Sequence, residues 1–234
     1  MSAATDSRAE LVKLARLLGL EGPASLTGMR RAPAGELRAY REAVTELLYD
    51  DELALLERLA DAAPLLPART LATIGERALG PLICARMTGL LEVDRAAEIA
   101  RHFAIDFLAR VAAELDPRRA VDVVTSTPPD RARALSLALA ARGEHVAMGR
   151  FVAYLDRRTL AACIAALTDG DVLRVTFVLE GKERVAEIVD LIGPQRTRSM
   201  LEAAEELGLA EEALDLLDHL DSRRRSQLRE GTRG

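Results

Sequence analysis

The chain starts a new helix again and again at short intervals, and that habit limits its folds more than any other feature. "STPPDRARAL" (126–135) offers a hydroxyl residue, two prolines, an acid and an apolar run, the order in which helices commonly begin. "LDPRRAVDVV" (115–124) opens another helix in nearly the same way, twelve residues before Thr127. Related openings stand at "LLPARTLATI" from Leu65, "LEVDRAAEIA" from Leu91, "LDRRTLAACI" from Leu155 and "IGPQRTRSML" from Ile192. Arg69, Arg95, Arg119 and Arg196 share the fifth position, and Arg158 comes one place earlier. Each reads as a solvated first-turn residue, with a bond to a neighbouring acid as its one expected partner.

The copies are 26, 24, 40 and 37 residues apart. The shorter spacings are two-helix units and the longer ones carry a third helix, a period that marks an α-solenoid. A helix of about 8–10 residues is not stable alone in water and must lay an apolar stripe on its neighbours. Such stripes are present at Ala96, Ile99, Ala100 and Phe103, at Leu108, Val111, Ala112 and Leu115, and at Val185, Ile188, Val189 and Ile192. "VLRVTFVLEG" (172–181) has the β-branched content of a strand, but its place in the repeat predicts a buried helix.

Composition agrees. Aromatic residues make up 3% of the 234, Trp is absent, and strong helix formers dominate. The expected fold is all-α: a right-handed α-solenoid or superhelix of short two- and three-helix repeats with helical caps. The expected division is an N-terminal helical cap (1–64), a repeat region (65–192), a C-terminal acidic helical cap (193–221) and a basic, disordered tail (222–234), the whole forming one globular unit. Residues 8–20 read as an amphipathic helix closed by Gly19, 21–35 as a loop, and 36–62 as two helices broken near Asp50 and Asp51.

The pattern of "LDPRRAVDVVTSTPPDRARALSLAL" resembles the superhelical repeat in the intracellular N-terminal domain of MgtE-type magnesium transporters, with Asp-Pro or Pro-Pro breaks before short Ala/Leu-rich helices. The flagellar motor switch protein FliG has a related fold. The resemblance covers residues ~65–192. It implies the fold and a helical surface for protein contacts, and in that family the acidic residues of the domain help to sense Mg²⁺. Here no acidic cluster matches the family position by position, and no transmembrane region accompanies the repeat.

A formal charge of −5 spread along the chain does not favour nucleic acid or an anionic membrane. No stretch has the roughly 18 uncharged apolar residues of a membrane span. The N-terminus lacks a secretory signal's features, and Cys84 and Cys163 read as buried, reduced thiols, so a cytoplasmic location is expected. His102, His145 and His219 are far apart, with no zinc spacing, nucleophile–base pair or phosphate loop. Ser126, Thr127 and Thr168 read as helix caps. The acids Glu202, Glu205, Glu206, Glu211, Glu212, Asp215 and Asp218, with Asp169 and Asp171, read as a solvated face, where weak Mg²⁺ binding is the most to expect.

No catalytic residue, cofactor site or metal site is therefore assigned, and no enzyme is expected. The first expectation is a cytosolic helical-repeat scaffold or adaptor for a protein partner, which Arg118, Arg119, Arg131, Arg157 and Arg158 would hold along one edge. One alternative is a carrier or sensor of a small apolar ligand, in a pocket lined by Phe103, Phe107, Met148, Phe151 and Phe177. The other, implied by the resemblance, is a Mg²⁺-responsive regulatory domain. The sequence leaves the oligomeric state open.

Overall fold

Proline and glycine mark the helix boundaries in the computed structural model, which describes residues 2–50 and 53–230. Pro129 and Pro194 each take the first helical position, where a missing N–H costs nothing. Gly143, at φ 72°, closes one helix in the left-handed conformation, and Glu144 N–H returns to Leu139 O at 3.0 Å. Sixteen α-helices and no strand are present among the described residues. No helix among them is long and apolar enough to cross a membrane.

The first helices are α1 (Ser2–Leu17), α2 (Ala34–Asp50), α3 (Leu53–Ala62), α4 (Ala68–Ile74) and α5 (Gly80–Thr88). A 3-10 stretch at Pro23–Met29 precedes α2, and another at Ala63–Leu65 follows α3. Then come α6 (Val93–His102), α7 (Ile105–Glu114), α8 (Val121–Thr125), α9 (Pro129–Ala141), α10 (His145–Val152) and α11 (Arg157–Ala166). The last are α12 (Asp169–Phe177), α13 (Arg184–Ile192), α14 (Pro194–Ala203), α15 (Ala210–Asp218) and α16 (Ser222–Glu230). The β-branched run is helical through Phe177, because burial of Val172, Leu173, Val175 and Phe177 outweighs their strand propensity. The break expected near Asp50 and Asp51 has α2 ending at Asp50, and Asp51 lies outside the described residues.

The chain groups into two compact units, residues 48–166 and residues 1–47 with 167–234. These boundaries differ from the expected caps and repeat region, because the two ends of the chain belong to one unit. In 48–166, α3 packs on α5, α5 on α7, α7 on α9 and α9 on α11, while α4 packs on α6 and α6 on α8. Each of these helices therefore meets a next-but-one neighbour, whereas α10 packs on α9 and α7 instead. The core holds Ile99, Phe103, Phe107, Val111 and Leu115, with the Phe103 and Phe107 ring centroids 4.9 Å apart. In the other unit, Leu11, Leu14 and Ala15 of α1 pack with Leu26 and Leu37, and α1 and α12 both contact α15.

Three expectations are corrected. First, the repeated arginine is more than a solvated residue at Arg95 and Arg196: Arg95 Nη1 does bond the neighbouring acid, Glu98 Oε2, at 2.7 Å, but both side chains also cross to another element. From the first turn of α6, Arg95 Nη2 donates to Ala63 O at 3.2 Å and to Leu66 O. In the other unit, Arg196 Nη2 donates to Leu167 O at 2.7 Å and Nε to Asp169 Oδ1 at 2.8 Å. A cation in a first turn sits at the unfavourable end of its own helix dipole, and carbonyls at the end of another element offer it a favourable one. Second, Ser126 and Thr127 do not cap α9; both hydroxyls donate back to Val123 O, at 3.0 Å each. Thr168 does cap α12, accepting from Asp171 N–H at 3.2 Å. Third, residues 222–230 of the tail are not disordered but form α16. Arg224 grips the Asp190 carboxylate at 2.9 and 2.7 Å, and Leu228 O accepts from Arg198 Nε at 3.0 Å. Residues 231–234 lie outside the described part of the chain.

Candidate functional site

Charge is concentrated on one face of α1. Asp6, Glu10 and Lys13 follow at i, i+4 and i+7, so they line up along the helix. Helices seldom bury such residues, yet Glu10 is 1% exposed and Lys13 3%. Cations surround the Glu10 carboxylate. Oε1 lies 2.8 Å from Lys13 Nζ and accepts from Arg38 Nη2 at 3.3 Å, while Oε2 accepts from Arg41 Nε at 3.2 Å. Arg41 Nη2 in turn meets Glu180 Oε1 at 2.9 Å. Burial pushes the Glu10 carboxyl up, but Lys13, Arg41 and Arg38 together outweigh it and hold the group below its ordinary 4.5. Burial lowers Lys13, against the pull of Glu10 and Glu180.

The N-terminal end of the same face reaches α15. There Asp6, Asp215 and His219 each offer a ligand atom, all within 4.8 Å of one another. Asp215 is 3% exposed, and Lys182 Nζ holds its Oδ2 at 2.5 Å. Lys182 also donates to Thr176 O at 3.1 Å and Phe177 O at 2.8 Å, which uses all three ammonium hydrogens. Lys182 Nζ and Arg8 Cζ both lie 5.7 Å from the Phe177 ring centroid, and Arg8 pairs with Glu211. The segment 178–183 thus serves both charge groups, through Glu180 to Arg41 and through Lys182 to Asp215.

The structure distributes the residues singled out in the sequence. Arg118 is drawn onto its neighbour Asp116 in a two-pronged pair, Nε to Oδ1 at 3.0 Å and Nη2 to Oδ2 at 2.7 Å. The Arg119 main chain lies so close to Gly89 that a Cβ there would meet Arg119 O at 2.7 Å. Arg131 is committed to the fold, donating from α9 to Ala100 O and to Phe103 O at 3.1 Å, the carbonyls that end α6. Arg157 and Arg158 are exposed at the start of α11.

Of the expected pocket lining, Phe103, Phe107 and Phe151 pack in the core of 48–166, and Met148 is buried on α10. Phe177 belongs to the other unit. Packing beside Phe103 is tight: a Cβ on Gly75 would lie 2.9 Å from Cys84 Sγ and 3.1 Å from Phe103 Cε1. Both cysteines are unpaired and buried, and burial with Glu76 nearby pushes the Cys84 thiol up to about 11. His102 is exposed at the end of α6, and His145 opens α10.

Sequence spacing missed the Asp6–Asp215–His219 group because about 200 residues separate Asp6 from the other two. Only the i, i+4 relation of Asp215 and His219 was legible. No family model, curated protein or solved structure matches the chain.

Proposed function

We propose that the chain is a non-catalytic helical-repeat scaffold, an α-solenoid of short two- and three-helix units that docks another protein. The next-but-one packing in 48–166 supports the repeat, since successive units then present equivalent faces. The observation that carries the docking role is the leucines left on one row of that packing. Leu59 of α3, Leu82 of α5 and Leu137 of α9 are all exposed, on three of the five helices α3, α5, α7, α9 and α11. At the end of the 3-10 stretch after α3, Leu65 is 81% exposed. Apolar side chains repeated along stacked helices suit a partner's apolar face better than a charged ligand. The MgtE-like repeat of residues ~65–192 belongs to this reading.

The test is capture of partners from the native host by wild type and by a Leu59→Glu, Leu82→Glu, Leu137→Glu variant. The expected result is a partner held by wild type and lost by the variant, with far-UV circular dichroism unchanged. A partner retained equally by both would remove the leucine row as the docking surface.

A further inference from the structure

We propose that Asp6, Asp215 and His219 bind a divalent transition metal of the Zn²⁺ class, an inference independent of the scaffold reading. The donor set is two carboxylate oxygens and one imidazole nitrogen, already within 4.8 Å of one another. A tetrahedral ion holds such ligands at about 2.0–2.2 Å, so small side-chain adjustments close the site and leave a fourth position for water. One nitrogen with two oxygens suits Zn²⁺ better than Mg²⁺, which prefers an all-oxygen octahedron and keeps most of its water.

Hydrogen bonds hold two of the three donors in place. His219 Nδ1 lies 2.8 Å from Asp215 O. A carbonyl only accepts, so Nδ1 carries the proton there and Nε2 keeps its lone pair, the usual second bond of a metal-binding histidine. Lys182 holds Asp215 Oδ2, while Oδ1 faces the imidazole, 3.6 Å from Nδ1. The lysine cannot swing away without abandoning the Thr176 and Phe177 carbonyls, so it orients the buried carboxylate and offsets one of the two acidic charges. Because Asp6 comes from α1 and the other two from the α15 segment, an ion here would also tie the two ends of the chain together within one unit.

The experiment is calorimetric titration of Zn²⁺ into the metal-stripped full chain, paired with Co²⁺ titration followed by its ligand-field absorption. The expected result is one equivalent bound, with tetrahedral Co²⁺ bands that Zn²⁺ bleaches and excess Mg²⁺ does not. Affinity should fall at least about 10-fold in His219→Ala and in Asp6→Asn, and stay unchanged in His102→Ala and His145→Ala. Asp6→Asn is close to isosteric and half-buried, so it reports on the site even where His219→Ala unfolds. Absence of saturable binding, or binding equally tight in folded Asp6→Asn, would overturn the proposal.

Discussion

Glu10 shows how a buried charge is tolerated and when it ceases to be. Its carboxylate is acceptable in the interior only because Lys13, Arg38 and Arg41 converge on it. Removing one partner of a buried ionic group leaves the others uncompensated, at a typical cost of about 3–5 kcal/mol. Glu10→Gln should therefore lose about 3 kcal/mol in urea melts at pH 7. The pH dependence has a definite sign. The folded chain binds the Glu10 proton less readily than the unfolded chain does, so the stabilisation is fully present above about pH 4.5 and is lost as pH falls through the lowered folded value. The gap between wild type and Glu10→Gln should narrow in melts below pH 4.5, whereas a constant gap would assign the loss to packing alone.

At the scale of the helix, the arginine links explain why helices this short hold their places. Arg131 joins the first turn of α9 to the last carbonyls of α6, as Arg95 joins α6 to the carbonyls that follow α3. Arg150 does the same from α10, donating to Ala113 O in the last turn of α7 at 2.9 Å. Hydrogen bonds from charged donors contribute about 1.5–3 kcal/mol. Arg131→Met keeps the aliphatic stem and should cost about 2 kcal/mol in thermal or urea melts. Arg133→Met, two residues further along the same helix and exposed, should stay within about 0.5 kcal/mol of wild type. The recurrence of Arg95 with Arg196 was visible in the sequence, and Arg131 stood among the first-turn arginines, but nothing there marked Arg150. The acceptors were not visible, because they lie about 30 residues back in elements whose ends only packing aligns.

The whole molecule assigns its chain unevenly. Residues 48–166 form a unit from one continuous segment, with contacts between helices near in sequence. The other unit needs both ends of the chain, since Leu14 of α1 is fully buried there and α1 rests on α15. A fragment of residues 48–166 should fold cooperatively by circular dichroism. A fragment of residues 167–234 should not, unless residues 1–47 are supplied with it. A fragment 167–234 that melts cooperatively by itself would show that α1 is dispensable to that core.

Most of the helices can be read directly from the chain, because proline at a first turn, glycine at a last turn and a 3.6-residue apolar stripe are local instructions that short segments obey. That holds for the Pro129 start, the Gly143 stop and the stripe from Ala96 to Phe103. It fails where the energy comes from a distant partner. Ser126 and Thr127 look like caps and bond backwards, and the polar tail becomes α16 because Asp190 and Arg198 give it contacts. Asp6, Glu10 and Lys13 look like ordinary charges of an exposed helix face. Only the tertiary structure surrounds them with Arg38, Arg41, Lys182, Asp215 and His219, because a charge is stabilised by whatever lies within a few ångströms, wherever it stands in the sequence.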